Sequence, residues 1–245
     1  FTDRSRYAPT EWKWQVDSRR YTLFAEGRSP RVRMDVPGVY DVTLTASNEV
    51  GSNEATQKQV LVVCNADSKN GLNFSNPRAS VLVDKPLWAE PTDEMTIDWW
   101  MHPAAKEQVA GIGDAVATWQ LRTDGRGNMT LSVDSLSVRS GNNFVIPNQW
   151  HHYAVSFQSG NVVFFRDGEV YKTEQLKHKD RSVTRIPVVP ALRIGGEQQP
   201  MNAVIDEFRV WKKALSASSL QQYCNAPIQD VAAAEQKDAL LLYYT

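Results

Sequence analysis

The stretch WHHYAVSFQSGNVVFFRDGEVY, residues 150–171, decides the fold. Asp167-Gly168 closes a hairpin between VVFF and EVY, because the tight turns that join antiparallel strands need φ > 0, which Gly takes without steric cost. In an extended strand, neighbouring side chains point to opposite faces. His151 therefore shares a face with Tyr153, Val155 and Phe157, whereas His152 shares one with Trp150, Ala154 and Ser156. Without a bulge the two imidazoles cannot reach one metal ion or one substrate atom. No helix-borne H-E-x-x-H or third ligand supports a metal reading. The pair reads as hydrogen-bonded scaffold inside a β-sandwich.

Outward from this stretch, short runs rich in Val, Ile, Thr and aromatics recur between Gly, Asn, Asp and Pro, as in an all-β chain. EWKWQV places Trp12, Trp14 and Val16 on one strand face, and GVYDVTLTASNEVGS, 38–52, reads as a hairpin turning between Asn48 and Gly51. Helical periodicity is convincing once, in LSASSLQQY at 215–223, with Ser216 as N-cap; DVAAAEQ at 230–236 is a second short candidate. With 27 basic and 28 acidic residues the formal net charge is -1, and the cluster Arg28, Arg31, Arg33 reads as a solvated strand face, so nucleic acid is not an expected partner. No apolar run approaches a bilayer span. Two cysteines, Cys64 and Cys224, are too few for a disulfide scaffold and lack zinc-type spacing; whether they pair stays open. Phe1 opens inside what reads as a strand, so the chain is expected to be a piece of a longer protein.

Residues 1–63, through WKWQV, the Ser-Pro at 29 and 30 and PGVYDVTLTASNEVGS, resemble the polycystic-kidney-disease (PKD) type of immunoglobulin-like module. The family's first strand and part of its second have no counterpart here, which implies an N-terminally incomplete β-sandwich. From about residue 66 to 245, GLNFSNPRASVLV, MTIDWWMHP, WHHYAVSF, VVFFRDGEVY, LRIGG and AVIDEFRVWKKALSASSL occur in the order in which the concanavalin A-like laminin-G jelly roll carries similar motifs. The resemblance implies a second β-sandwich with one short helix near its end. It also implies an exported, cell-surface or periplasmic setting, and binding or adhesion toward a glycan or a surface protein.

The concanavalin-like fold also hosts glycoside hydrolases, which need two carboxylates about 5 Å apart in the retaining case. The laminarinase-type members carry these on one strand as E-x-D-x-x-E, and this chain contains no E-x-D. No G-x-S-x-G nucleophile motif is present either, so no catalytic residue is expected. Period two in AVIDEFRVW places Asp206 with Val204, Phe208 and Val210 on the apolar face, and Glu207 with Arg209 toward solvent. A carboxylate facing a core must be compensated by hydrogen bonds, a basic partner or a cation. In the resembled fold such a carboxylate can help hold a structural calcium, so Asp206 is the candidate metal ligand and one calcium ion the candidate cofactor, beside the preferred reading of an aspartate bonded to backbone amides. Trp88 lies in the proline-flanked loop VDKPLWAEPTD, where an indole can stack on a sugar ring or tuck onto its own domain. The polar loops RTDGRGN, RSGNNF and GGEQQPMN offer Asp124, Asn142, Asn143 and Gln198 to sugar hydroxyls. The expectation is a non-catalytic module, with carbohydrate as the preferred ligand class. A structural spacer or a protein-protein interaction module fits the residues almost equally well, and a polysaccharide hydrolase is a distant third.

Overall fold

The computed structural model describes residues 1–18, 21–34, 38–63, 71–105, 111–113, 118–188, 190–197, 200–225 and 237–244. The chain divides into two compact units, Phe1–Asp67 with Cys224–Ala226, and Ser68–Tyr223 with Pro227–Thr245. In the first, β1 (Glu11–Asp17), β2 (Thr22–Glu26), β3 (Gly38–Asn48) and β4 (Gly51–Val63) form one antiparallel sheet in the order β2-β1-β3-β4. Trp14 stands opposite Leu44 and Ala25, and Val16 opposite Val42 and Leu23, so one face of the sheet is apolar. At the β3–β4 turn, Asn48 Oδ1 accepts the backbone N–H groups of Val50 and Gly51 at 2.9 and 3.2 Å. This is an Asx turn, the local alternative that an Asn side chain offers the backbone. Among the described residues this unit contributes a single sheet, so the sandwich architecture resides in the second unit.

The second unit begins with β5 (Leu72–Asn73), β6 (Ser80–Val83), β7 (Glu94–Pro103), β8 (Gly111–Gly113), β9 (Trp119–Thr123), β10 (Met129–Val133) and β11 (Leu136–Arg139). It continues through β12 (His151–Gln158), β13 (Asn161–Arg166), β14 (Glu169–Gln175), β15 (Lys177–His178), β16 (Arg181–Ser182), β17 (Leu192–Gly195), β18 (Ala203–Trp211), α1 (Ala217–Asn225) and β19 (Leu240–Tyr244). One sheet runs β11-β10-β9-β8-β17-β6 and the other β14-β13-β12-β7-β18-β19, with β5 also pairing β18; β15 and β16 form a small ribbon. Alternate residues of β7 (Met95, Ile97, Trp99, Met101) and of β12 (Tyr153, Val155, Phe157) enter a core shared with Ile112, Leu121, Leu131, Val138 and Ile194 of the other sheet. At about 1.5–3 kcal/mol for each large apolar side chain buried, this layer supplies most of the driving force for the unit.

The opposite face of the β12-β7-β18 sheet is covered at one end by α1. Trp211, Leu215, Leu220 and Tyr223 pack there with Ala154 and Phe165, and the rings of Trp211 and Tyr223 stack at 4.8 Å. Ser216 caps the helix as the sequence predicts, its Oγ accepting the Ser219 N–H at 3.2 Å. The candidate helix at 230–236 lies outside the described residues.

The DG hairpin between β13 and β14 has φ of 55° at Asp167 and 76° at Gly168. A Cβ on Gly168 would lie 2.4 Å from Gln221 Cγ and 3.0 Å from Gln221 Cα. Gly168→Ala is therefore expected to lose about 1–3 kcal/mol from strain plus the clash with α1. The check is a lower urea midpoint with an unchanged slope.

The strand reading fails at one place. β18 carries a bulge between Asp206 and Arg209, with Glu207 at φ 53°. The extra residue reverses the alternation, so Ala203 and Ile205 before it, and Phe208 and Val210 after it, all face the core. Asp206 thus does not share the face of Phe208 and Val210, and Arg209, expected in solvent, is wholly buried.

Candidate functional site

His151 and His152 diverge as strand geometry requires, and both are held by aspartates. Asp167 Oδ2 sits 2.7 Å from His151 Nδ1, while Oδ1 accepts the His152 backbone N–H at 3.0 Å. The Asp167 N–H in turn donates to the His152 carbonyl at 2.7 Å. The same residue that makes the turn thus ties it to β12. His152 is fully buried, and its Nε2 lies 2.9 Å from Asp98 Oδ1. Only a protonated Nε2 can bond a carboxylate, which sets the tautomer.

Asp98 is the centre of a buried ion network under α1. Its Oδ1 also lies 3.2 Å from Arg209 Nη1, and its Oδ2 accepts Trp211 Nε1–H at 2.6 Å. Arg209 reaches Glu207 Oε2 at 3.1 Å and the Tyr223 carbonyl at 3.4 Å, and its guanidinium lies 5.5 Å from the rings of Tyr223 and Tyr243. The Tyr243 hydroxyl donates to Glu207 Oε2 at 2.5 Å. Burial by itself would raise the Asp98 carboxyl; the Arg209 charge and the bonds from His152 and Trp211 outweigh it and hold the group below its ordinary value. Glu207 is shifted the other way, since burial prevails over Arg209 and Tyr243. These carboxylates are occupied by structural partners.

A solvent-facing polar cluster forms where the loop after β9 meets the loop after β11. Asp124 Oδ1 accepts the backbone N–H groups of Arg126 and Asn128 at 2.9 and 3.1 Å, and the Asn128 side-chain amide bridges Asp124 Oδ2 at 2.9 Å and Asn142 Oδ1 at 3.0 Å. Burial opposes ionisation of Asp124, but the Asn128 bonds, the two backbone N–H groups and the Arg139 charge hold its carboxyl below the ordinary value. Asn142 and Asn143 are exposed on the second loop. Arg166 Nη1 clamps that loop from β13 by donating to the carbonyls of Asn143 and Phe144 at 2.9 and 3.0 Å. Tyr171 on β14 donates its hydroxyl to the Asn142 carbonyl at 2.8 Å, with Arg166 5.0 Å from its ring. Tyr171 remains 38% exposed, with the Phe144 ring 5.0 Å from its own.

Three of the residues singled out from sequence, Asp124, Asn142 and Asn143, are thus brought together. Tyr171 and Arg166 join them without having been anticipated. The DG hairpin was the available signal for two strands meeting there, but the register shift that leaves Tyr171 without a cross-strand partner, beside Arg166, was not legible.

The other candidates do not join this cluster. Trp88 is 4% exposed, donates Nε1–H to the Pro187 carbonyl at 3.0 Å and stacks on Trp119 at 6.4 Å. It is core rather than platform, because the proline-flanked loop folds its indole inward. Gln198 and Cys64 lie outside the described residues. The bulge turns Asp206 away from the core face, and its Oδ1 accepts the Glu207 N–H at 2.9 Å. Glu207 itself is drawn to Arg209, and the described residues hold no group of three or more His, Cys, Asp or Glu side chains able to ligate a metal. Trp150 is half-buried and packs its ring against His102 at 5.6 Å.

A laminin-G-type family model, described as the concanavalin A-like lectin/glucanases superfamily, matches residues 74–221. The match does not reach the residues that resemble a PKD-type module. No curated protein matches the sequence. Among solved structures, the chain is similar to a Bacteroides ovatus protein provisionally described as carbohydrate binding, with a TM-score of 0.56 and 18% identity over 84% of this chain. The chain spans 60% of that protein's length. It is also similar to a heptameric serum-amyloid-P-like pentraxin from Limulus polyphemus, with a TM-score of 0.50 and 16% identity over 63% of this chain and 79% of the other. None of the described helices is long and apolar enough to cross a membrane. With the family match extending over more than half of its residues, on the same two sheets that hold the loop cluster, the chain belongs to the concanavalin A-like lectin/glucanases superfamily.

Proposed function

We propose that the second unit is a non-catalytic glycan-binding module of an exported or surface protein, and that the Asp124, Asn142, Asn143 and Tyr171 cluster is its site. The observation that carries this reading is the partly exposed Tyr171 set beside two exposed Asn residues on braced loops. A sugar offers an apolar ring face and a rim of hydroxyls, and an aromatic face flanked by amides complements both. Bracing matters too, because a preorganised site loses less freedom when it binds. The state of the acids supports binding over hydrolysis: Asp98, Glu207, Asp124 and Asp167 all have carboxylate oxygens engaged by the fold. Residues 1–63 we read as a PKD-type spacer, on their sequence resemblance. The Bacteroides ovatus neighbour's description is in keeping with the ligand class.

Tyr171→Ala, probed on a glycan array with folding checked by circular dichroism, is expected to weaken the bound glycans about tenfold, from loss of about 1–1.5 kcal/mol of stacking. Asn142→Ala should weaken the same glycans. Binding that ignores both substitutions, or an absence of glycan binding by the wild-type protein, would defeat the proposal.

A further inference from the structure

We infer that the glycan bound at this surface is acidic, a polysaccharide bearing uronate carboxylates; the inference rests on the glycan-binding reading above and extends it along the sheet. The strand register supplies the placement. Thr130 of β10 stands opposite Arg122 of β9 on one side and Arg139 of β11 on the other. Directly opposed residues project from the same face, so two arginines flank a threonine on the face opposite Leu121, Leu131 and Val138, which are in the core. One step along, Ser132 stands opposite Ser137, adding hydroxyls beside the arginines. Arg122, Arg139 and Ser137 are exposed, and Thr130 and Ser132 half-buried. The face is linked to the site by Arg139, which precedes Asn142 by three residues and whose charge acts on the Asp124 carboxyl, and by Arg126, also exposed, in the Asp124 loop.

The residues that the register places on this face, Arg122, Thr130, Ser132, Ser137 and Arg139, include no carboxylate. Arg122, Arg126 and Arg139 enter none of the ion pairs the structure shows. Asp124, on which the Arg139 charge acts, has its oxygens taken by Asn128 and the backbone of its own loop, and Glu174 is paired with Lys172 at 2.6 Å. A guanidinium presents a planar fork matched to a carboxylate. Arg122 and Arg139 are two strand spacings apart, about 10 Å, with hydroxyl side chains between them. That interleaving suits a chain with separated carboxylates and free hydroxyls rather than a densely charged polyanion. The formal net charge of the whole chain is -1, so the attraction is local and screened by salt.

The test is binding of the whole chain to polygalacturonate, to the same polymer with its carboxylates methyl-esterified, and to single-stranded DNA, by affinity electrophoresis and calorimetry. Wild type should bind polygalacturonate at least tenfold more tightly than the ester or DNA, with affinity falling as salt rises. Arg122→Gln with Arg139→Gln should lose at least tenfold for polygalacturonate while keeping the melting temperature, because both side chains face solvent. Arg122→Lys with Arg139→Lys should recover part of the loss, since charge returns without the fork. Equal binding of acid and ester, equal binding of DNA, or a double variant that binds like wild type overturns the acidic specificity. If neutral glycans bind in a Tyr171-dependent way while polygalacturonate does not bind, this inference fails and the parent reading stands. If no glycan binds at all, both fail.

Discussion

Asp98→Ala is expected to lower the unfolding free energy of the second unit by about 3–5 kcal/mol, the usual consequence of deleting one partner of a buried ion pair. The deletion leaves Arg209, wholly buried, with Glu207 as its remaining carboxylate partner. It also strips the acceptors from His152 Nε2 and Trp211 Nε1. Those donors sit between β7, β12, β18 and α1, so the substitution should loosen the helix together with the sheet beneath it. Urea unfolding followed by tryptophan fluorescence reads the effect directly; a loss under about 1 kcal/mol would mean the network contributes no more than an exposed salt bridge.

The pH dependence has a definite sign. Because the Asp98 carboxyl is held below its ordinary value, its stabilising contribution is present above the unfolded pKa and disappears as pH falls through the folded one. Asp206 and Glu207, raised chiefly by burial, act oppositely: their contribution is present at low pH and is lost as pH rises through their folded values. Asp98→Asn should therefore flatten the loss of stability on acidification below the ordinary carboxylate range. An acid limb as steep in the variant as in wild type would show that other carboxylates carry it.

Trp88→Ala carries the second large expected effect, about 3–5 kcal/mol for truncating a buried indole. The site cannot easily collapse around the loss, since the ring fills space against Trp119 and its Nε1–H bonds Pro187 across the sequence. The variant discriminates the two readings that a loop tryptophan permits. If the indole is core, the melting temperature drops and the glycans bound by the surviving folded protein are unchanged. If it were a sugar platform, binding would vanish with stability nearly intact. The 4% exposure predicts the first outcome.

Much of the architecture was legible along the chain. Alternation in MTIDWWMHP and WHHYAVSF specified which side chains enter the core, because a strand has only two faces. The DG dipeptide specified a tight turn through backbone conformations that few residues accept. The two histidines were readable as scaffold for the same reason. Alternation failed in AVIDEFRVW, where one inserted residue reversed the faces and carried Arg209 inward. No local feature marks that bulge; it forms where Arg209 finds Asp98, 111 positions away in the numbering. Trp88 was ambiguous because a loop's sequence does not state which way its side chains fold.

The sequence by itself determined an all-β chain and the polar loops from which a site can be drawn, since these follow from side-chain period and turn chemistry within a few residues of each position, while the jelly-roll order was implied by the motifs' resemblance to the laminin-G family. Only the tertiary structure decided which loops meet, which charges are buried together and which aromatic ring remains open to solvent. Those properties depend on strand order and register, and they arise between residues that the chain keeps far apart.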